Sequence, residues 1–302
     1  MDIKKIEKRA LIAGAVINLI MAVSGWYAYF LSGSEALLLD GNYSFITVVS
    51  TLVAIRIAAV KSKRSKLFPF GQFVFEALYS LVKGLMIIGL LLVAVTSNLS
   101  KIVHFLDGSQ ISMVNTDVMM LYGLAMSALC FSASFFYKLQ NKKVNNHSSL
   151  LRAESAGSMV DGMMSAGIGA AAVLISFIDP QSSFGFINYI GDAILVLILC
   201  LVIGKMPFEL TYHSFIELAG GTLQNRAEKK HIQEILSKYL SAEQMLVDDY
   251  ISKTGSSYLV IAYLSAAHID KLGFEKTIEF KQQIITDLHK HYQNTTFEMV
   301  LV

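Results

Sequence analysis

Residues 36–50 read ALLLDGNYSFITVVS, an apolar run that carries one acid, Asp40, and then the hydroxyls of Tyr43, Ser44 and Thr47. The apolar character continues across 35–60. A bilayer core of about 30 Å needs roughly 20 apolar residues at a rise of ~1.5 Å each, so this stretch reads as a membrane-crossing helix. An ionisable group inside such a helix is expensive and is a functional candidate by default. What Asp40 does depends on which other polar groups reach its depth.

Working outward, five further segments have the same character: 10–31, 73–98, 115–137, 150–178 and 187–206. Turn or charge chemistry separates them: SGS at 32–34, KSKRSK at 61–66, DGS at 107–109, QNKKVNN at 140–146 and DPQSS at 179–183. The 302 residues are 54% hydrophobic and 16% charged, against roughly a quarter charged in soluble proteins. The deficit lies in 1–207, whereas 208–302 carries charge at ordinary soluble density. Two domains follow: a six-helix transmembrane domain over 1–207 and a cytoplasmic domain over 208–302. The opening MDIKKIEKRA leads into an apolar run without a small-residue cleavage site, so it reads as an uncleaved first span. A net charge of +2 is too small to imply a nucleic-acid partner. Cys130 and Cys200 sit in apolar runs without metal or disulfide spacing and read as small buried or lipid-facing residues.

Basic residues alternate between the loops. Lys4, Lys5, Lys8 and Arg9 precede the first span; Lys61, Lys63, Arg64 and Lys66 follow the second; Lys138, Lys142, Lys143 and Arg152 follow the fourth. The opposite loops offer only Lys101. The positive-inside rule places both termini in the cytoplasm. The run 153–172 holds Gly157, Gly162, Gly167 and Gly169 among alanines and serines, so span 5 should lie centrally in the bundle.

In the tail, 225–240 and 274–292 have helical apolar spacing, and MLVDDYISKT, SSYLVIAYLS and TFEMVLV read as strands, the first two joined at Gly255. The order helix, strand, strand, helix, strand suggests a small α+β layer with exposed sheet edges, which favours pairing with a second copy.

The ionisable residues within spans are Asp40, Arg56, Glu76, Lys83, Glu154, Asp161 and Asp192. Arg56, Glu76 and Glu154 lie near the cytoplasmic ends, where side chains can snorkel, and Asp192 lies where it can meet its own helix N-terminus. Structural roles are expected for these four. Measured from the outer ends of their spans, Asp40 is ~8 Å deep, whereas Thr47, Lys83 and Asp161 are ~20–25 Å deep. Asp40 and Asp161 are therefore not expected to hold one ion together without a kink. Tyr43 and Thr47 share a face of span 2 that can look toward Asp161, and so can Lys83. A Lys83–Asp161 ion pair would cancel the buried charge and leave no net site for a cation.

GSEALLLDGNYS (33–44), FPFGQFVFEAL (68–78), RAESAGSMVDGMMSAG (152–167) and YIGDA (189–193) resemble, in order and spacing, segments of the cation diffusion facilitator family. The resemblance covers nearly the whole chain. It implies six spans with both ends inside, a ferredoxin-like, metallochaperone-like dimerisation domain, and export of divalent metals against protons. A bacterial inner membrane and a homodimer follow from the same likeness. The family takes two ligands four apart in span 2 and two in span 5. Those positions here are Tyr43, Thr47, Gly157 and Asp161, of which only Asp161 is a standard ligand. Such an oxygen set suits Mn²⁺, Mg²⁺ or Fe²⁺ better than Zn²⁺. The metal is a transported species, and no cofactor is expected.

The resemblance gives Asp161 as main ligand, Tyr43 and Thr47 as auxiliary oxygens and Asp40 as an outer-pathway acid, with a hydrogen bond from Asp40 to a neighbouring span as the equal alternative; Lys83, read from its depth, would neutralise Asp161 when no metal is present. The loop histidines usual in the family are replaced by Phe68 and Gln72. His231, His268, His289 and His291 read as solvated residues rather than ligands. Two rivals stand beside the transporter: a facilitator-fold relative with a non-metal substrate or none, in which Lys83–Asp161 is a fixed strut, and a regulatory membrane protein whose tail binds a partner. An enzyme has least support, since no nucleophile–base constellation or phosphate-binding loop is present.

Overall fold

The computed structural model describes residues 3–144, 148–179, 181–240, 245–267, 273–292 and 294–302. Six helices are long and apolar enough to cross a membrane: α1 (Ile3–Ser32), α2 (Glu35–Val60), α3 (Val74–Leu106), α4 (Thr116–Lys142), α5 (Ser149–Ser176) and α6 (Ile187–Leu218). The bounds of α2 are those read from sequence. Several other helices outrun the apolar stretch, most of all α6, which continues through Pro207 to Leu218 rather than ending near 206. Hydropathy measures the apolar stretch, whereas the helix ends only where its backbone hydrogen bonding does. Between α1 and α2 the reversal is made at Gly33, whose φ of 69° needs a residue without a side chain and whose N–H closes on the Tyr29 carbonyl at 2.8 Å.

Contacts divide the chain into two compact units, residues 1–60 with 79–211, and residues 61–78 with 212–302. In the first unit α5 packs against α1, α2 and α4, the central place that its small residues suggest. The α4–α5 contact is close enough that a Cβ added at Gly123 would lie 2.5 Å from the Gly169 Cα. The core of this unit joins Leu37, Leu39, Tyr43, Met119, Met164, Ile168 and Val196, among others, and Cys130 and Cys200 are both buried.

The second unit contains α7 (Arg226–Leu240), β1 (Leu246–Thr254), β2 (Ser257–Leu264), α8 (Phe274–His291) and β3 (Thr295–Leu301). β1 pairs antiparallel with β2, and β3 pairs parallel with β2 after the α8 crossover, giving the order β1-β2-β3. Ile232, Leu236 and Leu240 from α7 and Ile284 and Leu288 from α8 close over Ile251, Val260, Ala262 and Phe297 of the sheet. This is the small α+β domain expected from the alternating tail pattern. The segment 61–78 belongs to the same unit through Glu76, which pairs with Lys61 at 3.0 Å and accepts from the Ser256 N–H at 2.7 Å and hydroxyl at 2.6 Å. Glu76 therefore does not snorkel; its carboxylate is buried and fully used.

Candidate cation site

The polar residues of α2 recur every three or four positions, so Asp40, Tyr43, Ser44, Thr47 and Thr51 fall along one face, and all are buried. The facing stripe on α5 carries Glu154, Ser158, Asp161 and Ser165, also buried.

At one end of this double stripe, Glu154 is fully engaged. Its Oε1 accepts from the Tyr79 hydroxyl at 2.6 Å and from Lys83 Nζ at 3.1 Å, and its Oε2 accepts from the Thr51 hydroxyl at 3.0 Å. The Thr51 hydroxyl also lies 2.7 Å from the Thr47 carbonyl. At the other end, Asp40 Oδ2 accepts from the Ser165 hydroxyl at 2.8 Å and the Tyr122 hydroxyl at 2.9 Å. Between these ends lies Asp161. Among the described residues neither of its carboxylate oxygens has a hydrogen-bond partner, and Asp40 Oδ1 and Ser44 Oγ are likewise buried and unpartnered. The charged neighbours that act on Asp161 are Asp40 first, then Lys83, then Glu154. Lys83 offers Asp161 only a distant opposite charge, because its hydrogen bonds go to Glu154 and Tyr79.

Several expectations are corrected here. The ion pair of Lys83 is made with Glu154, not with Asp161. Gly157 lies beside this pair, and a Cβ there would stand 3.7 Å from Lys83 Nζ, an ordinary contact distance that alanine would also allow. Glu154, expected to snorkel, is instead buried and holds this lysine. The depth estimate for Asp40 also fails. Its contact with Ser165, one turn from Asp161, brings the two aspartates to neighbouring levels. Asp40 is ~8 Å from the start of α2, while Ser165 is ~17 Å from the end of α5, so α5 runs roughly two turns past that start. Depths counted from helix ends assume level ends, and these are staggered.

Tyr43 lies within reach of the charges of Asp161, Glu154 and Asp40, and Thr47 donates to the Tyr43 carbonyl at 3.1 Å. Asp192 does not cap its own helix. It takes Lys101 Nζ at 2.9 and 3.1 Å and the N–H of Glu35, which opens α2, at 3.0 Å. Lys101 is thereby spent on a structural pair. Arg56 is exposed, as expected of a cation near a span end.

Thr51, Tyr79, Tyr122 and Ser165 were not singled out in the sequence. Thr51 continues the four-residue series of Tyr43 and Thr47, Ser165 stands four after Asp161, and Tyr79 four before Lys83, so helical spacing could have found those three. Nothing local marks Tyr122. In the second unit, His231 Nδ1 lies 2.9 Å from the Tyr292 hydroxyl and His289 Nε2 lies 3.1 Å from the Thr295 carbonyl, while His268 falls outside the described residues. Among the described residues no group of three or more His, Cys, Asp or Glu side chains is arranged to hold a metal. The donors that do converge are carboxylates and hydroxyls.

Six helices long and apolar enough to cross a membrane, with carboxylates buried among them, fit a membrane protein that handles cations. The model of the cation efflux transmembrane domain matches residues 11–219. The chain belongs to this cation efflux family, the cation diffusion facilitators, and is a cation transporter. No curated protein matches it.

Proposed function

We propose that the protein exports a divalent cation from the cytoplasm in exchange for protons, with Asp161 as the principal ligand and oxygen atoms of α2 completing the set. The observation that carries this reading is the state of Asp161. A buried carboxylate without a partner is strongly unfavourable unless a cation or a proton takes the place of one. Both of its neighbouring acids are engaged, Glu154 completely and Asp40 through one oxygen. Lys83 neutralises Glu154, so the charge of Asp161 is left for the cargo.

Alternating access by rocking of the helices exposes Asp161 first to one side and then to the other. The loop lysines and arginines support cytoplasmic termini, in a bacterial inner membrane. The open edges of the three-stranded sheet support a homodimer. The test is metal-driven proton flux in proteoliposomes, with Zn²⁺, Mn²⁺, Fe²⁺, Co²⁺ and Mg²⁺ in turn. Flux is expected with at least one ion and is lost in Asp161→Asn. Absence of flux with all five, or full flux in Asp161→Asn, rejects the reading.

A further inference from the structure

The two helices that carry the site repeat one short pattern, DGNYS at 40–44 on α2 and DGMMS at 161–165 on α5. Their register is pinned at two places. Asp40 meets Ser165, and Thr51 meets Glu154. Eleven positions separate Asp40 from Thr51, and eleven separate Glu154 from Ser165. Eleven residues are about three full turns, so both contacts lie on one face of each helix, and the helices run antiparallel between them. The intervening levels follow directly. The same counting puts Ser44 at the level of Asp161 and Thr47 at the level of Ser158.

The two patterns therefore cross as a pair of aspartate–serine rungs. The rung from Asp40 to Ser165 is closed by a hydrogen bond of 2.8 Å. The rung from Ser44 to Asp161 is open: Ser44 Oγ and both Asp161 oxygens are buried and lack any partner among the described residues, and Asp40 Oδ1 beside them lacks one too. Three carboxylate oxygens that accept from no donor and one hydroxyl without a partner, among the described residues, lie at adjacent levels of two facing helices. A cation that keeps some of its water satisfies all four together.

We propose that the cargo binds at this open rung, held by Asp161, Ser44 Oγ and Asp40 Oδ1, and that it is a hard, oxygen-seeking divalent cation such as Mn²⁺ or Mg²⁺. This rests on the transporter reading and moves its ligands about one turn outward, from the level of Thr47 to that of Ser44. The Thr47 hydroxyl is directed to the Tyr43 carbonyl, and its rung partner is an uncharged serine. Two carboxylates and a hydroxyl, with water filling the remaining positions, suit ions that favour oxygen and keep part of their hydration. The absence of imidazole and thiolate from the rung works against Zn²⁺.

The test is Mn²⁺ binding to the purified full-length chain in detergent, by titration calorimetry and by the loss of the free-ion electron paramagnetic resonance signal. Asp161→Asn abolishes binding, and Asp40→Asn weakens it roughly tenfold or more. Ser44→Ala weakens it severalfold more than Thr47→Val does. Ser44→Ala removes a hydroxyl with no partner, so folding is not at stake, and Asp40→Asn keeps an oxygen to accept from Ser165 and Tyr122. If Thr47→Val is the more damaging change while Asp40→Asn and Ser44→Ala bind as the unaltered protein does, the ion sits a turn deeper. This proposal is then overturned, and the transporter reading survives. Binding of Zn²⁺ in preference to Mn²⁺ and Mg²⁺ overturns the hard-ion assignment. Unaltered Mn²⁺ binding by Asp161→Asn, or no binding of any of the three ions by the unaltered protein, overturns both.

Discussion

Replacing Lys83 with methionine tests the polar network from the side of its only cation. Methionine keeps much of the unbranched stem and removes the ammonium. Glu154 would then remain buried with two donors, the Tyr79 hydroxyl at 2.6 Å and the Thr51 hydroxyl at 3.0 Å. Removing one partner of a buried ion pair costs about 3–5 kcal/mol, because the other charge is left behind. The two surviving hydrogen bonds place the expected loss near the lower end, ~3 kcal/mol. Glu154→Gln in the same background removes the stranded charge while still offering an oxygen to Tyr79. The double variant should recover most of the loss, giving a coupling of about 2 kcal/mol, within the range found for contacting residues. Unfolding in detergent can be followed by the fluorescence of Trp26, the single tryptophan, which donates to Asn42 at 3.0 Å. Two results would refute the assignment. One is a Lys83→Met protein as stable as the unaltered chain. The other is rescue by Asp161→Asn and not by Glu154→Gln, which would mean that the lysine pairs with the ligand aspartate after all.

Two further outcomes are expected. Gly123→Ala places a methyl group 2.5 Å from the Gly169 Cα and 2.8 Å from the Ser165 carbonyl, so α4 and α5 must part. A loss of about 1–3 kcal/mol is expected in the same unfolding assay, and none would show that these backbones are not in contact. In the second unit, the carboxyl of Asp287 is held below the ordinary aspartate range by hydrogen bonds from Lys290, Tyr239 and Lys238. A carboxyl whose folded pKa is lowered contributes stability above its unfolded value of about 3.9 and loses it as the pH falls toward the folded value. Amide exchange in α7 and α8 should therefore be faster in Asp287→Asn at pH 7, with the difference from the unaltered protein closing below about pH 4. A difference that persists unchanged in acid contradicts that origin.

Hydropathy made the membrane domain legible because crossing a bilayer is a demand on local composition, met or missed within some twenty residues. The tail was legible for a similar reason, since its helices and strands carry their apolar residues at distinct periods. Asp161 stood out because an acid in an apolar run is conspicuous on its own. Its surroundings were another matter. Lys83 could reach either Asp161 or Glu154 from α3, and the sequence holds nothing that chooses between them. What chooses is the hydroxyls of Tyr79 and Thr51, which gather on the Glu154 carboxylate that Lys83 pairs with.

The sequence by itself determined six spans, a small α+β tail and two carboxylate candidates, Asp40 and Asp161. These are properties of each segment taken alone. Only the tertiary structure decided that Asp40 bonds to Ser165, one turn from Asp161, that Lys83 belongs to Glu154, and that among the described residues neither oxygen of Asp161 meets a donor. Those facts depend on how far one helix slides along another. That offset is set by contacts between helices distant in sequence, such as Asp40 with Ser165 and Thr51 with Glu154, which no single helix encodes.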